Sequence, residues 1–235
     1  MSIAENIAAV RARIARAASR VGRDPGSITL MAVSKTVEPE RIRQAYAAGI
    51  RVFGENRVQE FAEKSATLAD CKEAEWHLIG HLQSNKAKKA AELFSAIDSV
   101  DSLRLAEKLN QAAQQADKNA AVLLEIKVGE EESKHGIPFG DPELEAILRA
   151  APQLERLQIR GLMTVPPFTQ APDGARPFFR ALRDLRDTIA ARTLPAVRMD
   201  VLSMGMSHDF EIAIEEGSTC VRVGTAIFGA RPKPA

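Results

Sequence analysis

Apolar residues along this chain follow two alternating rhythms. Short β-branched or apolar runs occupy Ile28–Val33, Val52–Gly54, Trp76–Ile79, Ala96–Val100, Val122–Val128, Ile159–Val165, Val201–Met204 and Val221–Phe228. Between them, helical spacing fills Glu40–Ala48, Arg57–Leu68, Asn85–Leu93, Leu103–Ala116, Pro142–Ala150, Ala175–Ala191 and Asp209–Glu216. Ahead of the first run, Ile3, Ile7, Val10 and Ile14 recur with a helical period, and Ser2 stands where a helix cap belongs. Strands alternating with helices of this length imply repeated βα units and a parallel sheet. The near-continuous apolar character of the runs is what strands covered on both faces require. Eight runs, seven intervening helices and one leading helix match a (β/α)8 TIM barrel of about 250 residues with an extra N-terminal helix. A doubly wound open sheet fits less well, because it has fewer strands at this length and no G-x-G-x-x-G follows the first run. Val165–Gly174 is rich in Pro and Gly and reads as a loop at a strand end, so one domain over residues 1–235 is expected.

Composition narrows the function classes. Thirty-two basic side chains stand against 31 acidic ones, a net charge of +1 that lends no support to nucleic-acid binding. No apolar run approaches the ~20 residues needed to span a bilayer, so no membrane role is expected. Glu5 and the early arginines fit neither a secretory signal nor a mitochondrial presequence. The two cysteines exclude a disulfide scaffold and suit a reducing compartment, and a cytoplasmic location is expected. Cys220, inside an apolar run, is expected to be a buried small hydrophobe, and Cys71 to lie at the surface.

In a barrel, polar residues at the C-terminal ends of strands mark the site. Lys35 follows the first run in AVSK, and Pro39 can open the next helix. A lysine partly desolvated at a barrel mouth exposes a neutral amine able to attack a carbonyl; taken alone, Lys35 reads more readily as a solvated loop residue. Ser203-Met-Gly-Met-Ser207 closes the seventh strand, and Arg222-Val-Gly-Thr225 occupies the eighth. Barrels often bind phosphate in the loops after these strands, where glycine admits an anion close to backbone amides and hydroxyls add donors. Taken alone, Gly205, Gly224 and Gly229 fit tight turns or barrel packing as well. Gly205–Asp209 is not a nucleophile elbow, because Asp209 stands where the second glycine must be. A lysine nucleophile and a phosphate cradle in one barrel point to an aldehyde carrying a phosphate, with pyridoxal 5′-phosphate the leading candidate and Arg222 a candidate partner for its ring nitrogen. A guanidinium cannot give that nitrogen a proton, so the cofactor would be a poor electron sink. His77 and His81 have a metal spacing only on a helix, and Gly80 with the strand pattern argues against one, so no metal site is expected.

The motifs AVSK, FGENRVQE, WHLIGHLQSNK, SKHG, GLM, SMGMSHDFEIAI and RVGTAIFG occur in order over nearly the whole chain. Together they resemble the pyridoxal phosphate homeostasis protein family, which is similar to the N-terminal barrel of bacterial alanine racemase. The resemblance implies a single modified barrel binding pyridoxal 5′-phosphate, with Lys35 as the Schiff-base lysine. By the same resemblance Ser203, Ser207, Gly224 and Thr225 are expected at the phosphate, with Met204 among the cofactor-contacting residues. Arg222 is expected at the ring nitrogen, and Asn56 and His81 near the ring or the pocket rim. Lys127 stands where the family usually carries Asn, and either adds positive charge to the pocket or points outward. Lys134 matches a lysine that the resemblance implicates in holding or handing over the cofactor; a solvated loop lysine beside Glu130–Glu132 is an equally good reading. His135 and His208 are expected at the rim.

Two function classes compete. One is a non-catalytic carrier that stores or delivers the cofactor, with pyridoxal-dependent apo-enzymes as further partners. The other is an amino-acid racemase or related enzyme with weak activity. Racemisation needs an acid/base on each face of the substrate, one of them the lysine. The chain's single tyrosine, Tyr46, falls in the helix after the first strand and is expected outside the barrel. Residue 39, where racemases of the similar barrel carry a phosphate-contacting tyrosine, is Pro39. The chain also stops shortly after the last motif, so no second domain and a monomer are expected. The carrier reading is favoured.

Overall fold

The chain enters the fold through a capping box. Ser2 Oγ accepts from the Glu5 amide at 3.2 Å and the Glu5 carboxylate accepts from the Ser2 amide at 2.7 Å, starting α1 (Ile3–Arg20). The cap is worth about 0.5–2 kcal/mol. Each buried apolar side chain on the inner face (Ile3, Ile7, Val10 and Ile14) is worth roughly 1.5–3 kcal/mol, so packing holds this helix more than its cap does. The computed structural model describes residues 1–129, 131 and 135–230.

The βα rhythm follows. The strands are β1 (Thr29–Val33), β2 (Val52–Glu55), β3 (Glu75–Leu78), β4 (Ala96–Val100), β5 (Ala120–Lys127), β6 (Ile137–Pro138), β7 (Leu157–Met163), β8 (Val197–Met206) and β9 (Cys220–Val223). The helices after α1 are α2 (Pro39–Ala47), α3 (Val58–Ser65), α4 (Ala87–Leu93), α5 (Leu103–Gln115), α6 (Pro142–Ala150), α7 (Arg176–Ala191), α8 (Phe210–Glu215) and α9 (Thr225–Phe228). Neighbouring strands pair in parallel in the order β4-β3-β2-β1-β9-β8-β7-β5, and β4 pairs with β5 to close an eight-stranded barrel. The two-residue β6 lies beside the end of β5, outside this count.

Each strand alternates between the helices outside and the barrel interior. Leu78, Ile97, Leu124 and Leu202 join one apolar layer under the helices, and Ala32, Phe53, Val221 and Val223 join a second. The second layer also contains the inner face of α1. The helix that follows β9 has only four residues, and α1 packs over β9 and β1 to complete the ring.

Two boundaries and one expected exposure differ from the sequence pattern. The run Val221–Phe228 is a strand only to Val223; at Gly224 the backbone turns into α9. The seventh run begins earlier than its apolar stretch, at Val197, because β8 continues its ladder with β7. Cys71 is not at the surface: it is 5% exposed and packs with Leu68 in the second apolar layer, where burial pushes its thiol pKa up. Cys220 is buried as expected, its thiol pushed up to about 12 by desolvation.

Candidate functional site

Closing the barrel makes the first and last strands neighbours. Ala32 pairs with Val223, so the residues that follow, Lys35 on one strand end and Gly224–Thr225 on the other, emerge side by side. They wall a cavity of about 430 Å³ together with Val33, Asn56, Ile79, Gly80, Val165, Met206, Ser207, His208 and Arg222. Its lining is mostly apolar with a few convergent polar groups, the usual make-up of a small-molecule site.

Lys35 is half-buried and sits on a turn that is fastened from both sides. The Ser34 amide donates to the Gly54 carbonyl at 2.9 Å, and Ser34 Oγ donates to Glu55 at 2.6 Å. The Thr36 amide donates to Glu60 at 2.6 Å, and Thr36 takes a left-handed φ of 60°. Lys64 from α3 donates to the Ser34 carbonyl at 3.0 Å and pairs with Glu55 at 2.9 Å. Burial pushes the Glu55 carboxyl up, and Lys64 and Ser34 pull against it. Helix α3 thus fixes the backbone on either side of Lys35.

On the neighbouring strand end, Gly224 is the N-cap of α9 and has no side-chain cap, and its carbonyl takes the Ile227 amide at 3.0 Å and the Phe228 amide at 2.8 Å. Ser207 Oγ accepts from the Ala226 amide at 3.4 Å, which ties the β8 end to the same turn. Arg222 is 3% exposed and donates at 2.7 Å to Ser203 Oγ and to the Thr164 carbonyl. Burial lowers its pKa, while Asp98, Glu125 and Asp209 favour its charge. The arrangement presents an amine, a fixed guanidinium and the hydroxyl residues Ser207 and Thr225 around one small volume.

Asn56 reaches the wall because Gly80 lets it. A Cβ on Gly80 would lie 2.4 Å from the Asn56 carbonyl oxygen, so the β2 and β3 ends approach backbone to backbone. Asn56 Oδ1 is buried with no hydrogen-bond partner among the described residues, a polar atom at the cavity wall available to a ligand donor.

The structure brings Lys35, Asn56, Ser207, Arg222, Gly224 and Thr225 to one cavity. It does not bring Ser203, Met204 or His81 to its wall. Ser203 lies beneath, fully buried, its hydroxyl engaged by Arg222. Met204 packs in the outer apolar layer. Beyond them β8 bulges: Ser203 pairs with Cys220 and Met206 with Arg222, so β8 spends one residue more than β9. Gly205, at φ +95°, absorbs that residue, and Met206 instead of Met204 turns to the cavity. His81 lines an adjoining groove with Arg57 and Lys86. Lys127 ends β5 half-buried and is not among the cavity residues. Glu130, Glu132, Ser133 and Lys134 lie outside the described residues.

Pattern reading missed the charged layer under the cavity floor. His77 Nδ1 meets Asp98 at 3.1 Å. Burial works against its charge, but Asp98 and Glu75 outweigh burial and carry the imidazole to about 9. Glu125 is 7% exposed, and Oε2 has no partner among the described residues. Burial first, then Asp101, pushes it up to about 7 against the pull of Arg222. Asp98 in AIDSV and Glu125 in LLEIK interrupt apolar runs, and that interruption was the available signal.

A family model described as "Alanine racemase, N-terminal domain" matches residues 6–232. A protein of Aquifex aeolicus named "Pyridoxal phosphate homeostasis protein" is 44% identical over 98% of this chain and 99% of its own. One of the same name from Escherichia coli is 43% identical over 97% of each. The structure of PipY of Synechococcus elongatus with PLP bound superposes with a TM-score of 0.83 at 41% identity, covering 97% of this chain and 100% of that one. An alanine racemase of Clostridium difficile superposes at 0.72 with 16% identity, over 99% of this chain but 57% of its own, a likeness of fold alone.

Proposed function

The chain belongs to the alanine racemase N-terminal domain family, and from that premise we propose that it binds pyridoxal 5′-phosphate and keeps the cytoplasmic supply of this cofactor in balance, without turning over a substrate of its own. One observation carries the reading: Lys35 and the Gly224–Thr225 cradle share a cavity of about 430 Å³. A ligand carrying both an aldehyde and a phosphate suits those two neighbouring strand ends, and the relatives named for pyridoxal phosphate support it.

Lys35 would hold the cofactor through its amine, and the turn held by α3 keeps that amine at the mouth. Ser207 and Thr225, whose hydroxyls lie at the cavity wall, would take the phosphate. Arg222 would donate to the ring nitrogen, and Asn56 would offer its unpaired oxygen to a ring hydroxyl. When bound, the cofactor supplies an electron-withdrawing ring; a guanidinium at its nitrogen keeps that pull weak.

The placement of Tyr46 supports the carrier over the racemase reading. Tyr46 lies on α2 under the Arg51 guanidinium at 4.2 Å and accepts from the Glu73 amide at 3.3 Å. Arg51 and Glu73 precede β2 and β3, at the barrel end away from Lys35. The titratable residues of the cavity wall are Lys35, Arg222 and His208, and His208 Nε2 donates to the Thr169 carbonyl at 3.1 Å. Delivery to pyridoxal-dependent apo-enzymes is the use this reading implies.

The test is borohydride reduction of the protein loaded with pyridoxal 5′-phosphate, followed by peptide mapping. A pyridoxyl group on Lys35 is expected, and the same group on another lysine overturns the assignment. Alanine α-proton exchange at ordinary enzyme rates, about 1–10³ s⁻¹, overturns the carrier reading.

A further inference from the structure

Three side chains on successive strand ends meet beside the cavity. His81 follows β3, Asp101 follows β4, and His135 precedes β6. Each offers one ligand atom, and these atoms lie within 4.8 Å of one another. His81 Nδ1 is 3.1 Å from Asp101 Oδ2, and the His81 and His135 rings stack with centroids 3.9 Å apart and planes 11° from parallel. We propose that His81, Asp101 and His135 form a binding site for one divalent transition-metal ion at the rim of the barrel mouth.

The donor set decides the class of ion. Two imidazoles and one carboxylate suit Zn²⁺, Co²⁺, Ni²⁺ or Cu²⁺, whereas Mg²⁺ and Ca²⁺ prefer all-oxygen sites. A tetrahedral centre with bonds of about 2.0–2.1 Å needs ligand atoms roughly 3.3 Å apart. His81 and Asp101 already stand at 3.1 Å. His135 therefore has to close by at most about 1.5 Å and turn its ring out of the stack, so that its lone pair points at the ion held by His81 and Asp101. Both rings are exposed, so this rotation disturbs no buried packing. Asp101 is the steadier member: Ser102 beside it caps α5 through the Leu105 amide at 3.3 Å, and its own side chain is 16% exposed. His77 takes no part, since Asp98 holds it inside the barrel. Three protein ligands leave the fourth position to water or an exogenous donor. This site does not depend on the cofactor reading.

The experiment is a Co²⁺ titration of the tag-free full chain, followed by visible absorption, with Zn²⁺ as competitor. One saturable site per chain is expected, displaced by Zn²⁺. Removing even an outer hydrogen-bond partner of a metal ligand costs about 10–100-fold in affinity, so His135→Ala and Asp101→Asn should each weaken binding at least tenfold. In the unsubstituted chain, histidine side-chain NMR should show the Zn²⁺ response at His81 and His135 among the four histidines. Absence of a saturable site, binding unchanged in both variants, or a response at His77 or His208 instead overturns the proposal.

Discussion

Lys64 Nζ lies 2.9 Å from Glu55 Oε1, directly under the turn that carries Lys35. Glu55 is fully buried and the Lys64 side chain is 10% exposed, so this is not one of the surface pairs that contribute little. Breaking a buried pair from one side leaves an uncompensated charge and costs about 3–5 kcal/mol. Lys64→Met should lower stability by that order in urea unfolding and weaken pyridoxal 5′-phosphate binding through the loosened Ser34 carbonyl. Adding Glu55→Gln should restore much of the stability but not the binding. A single-variant cost below about 1 kcal/mol would show the pair to be solvated.

Glu125 makes stability depend on pH in an unusual direction. Its carboxyl, at an ordinary value near 4.5 in the unfolded chain, is raised to about 7 in the fold by burial and by Asp101. Between those values the native state holds a proton that the unfolded state has released, so stability falls as pH rises from about 4.5 to 7 and stays lower above. Glu125→Gln should flatten that window and stabilise the protein at pH 8 by at most roughly 3 kcal/mol. Thermal melts across pH check both statements.

His77 acts over the next window. Its imidazole, near 6.5 when unfolded, is held at about 9 because Asp98 and Glu75 overcome the penalty of burial. The stabilisation is complete below about pH 6.5 and is lost as pH rises through about 9. The paired variant His77→Gln with Asp98→Asn should remove this alkaline loss. A melt profile unchanged between pH 6.5 and 9.5 would contradict the pairing.

Gly80→Ala tests the backbone approach that sets Asn56 in the wall. The added methyl would meet the Asn56 carbonyl at 2.4 Å and its Cα at 2.8 Å, backbone atoms that no side-chain rotation can clear. A loss of roughly 1–3 kcal/mol is expected, together with weaker cofactor binding measured by absorbance titration.

Ser207→Ala with Thr225→Val separates the two ends of the ligand. Affinity for pyridoxal 5′-phosphate should drop about tenfold or more, the scale of lost charge-assisted hydrogen bonds, while affinity for unphosphorylated pyridoxal stays unchanged. Equal losses for both compounds would place the phosphate elsewhere.

Periodicity alone determined the barrel, the leading helix and most strand positions, because covering a parallel sheet on both faces leaves a mark in every run. The Ser2 cap and the strand-end location of Lys35 and Ser207 were legible for the same local reasons, whereas Thr225, read within the eighth strand, opens α9. Three things needed the closed fold. Pairing of β1 with β9 makes Lys35 and Gly224 neighbours, and no local pattern encodes which strand ends meet. The bulge at Gly205 turns Met206 to the cavity and away from the outer face that Met204 keeps, since one inserted residue reverses a period of two. The charges of His77, Asp98, Glu125 and Arg222 share one interior only because eight strands curl around them, and burial there, which sequence spacing does not report, moves their proton affinities.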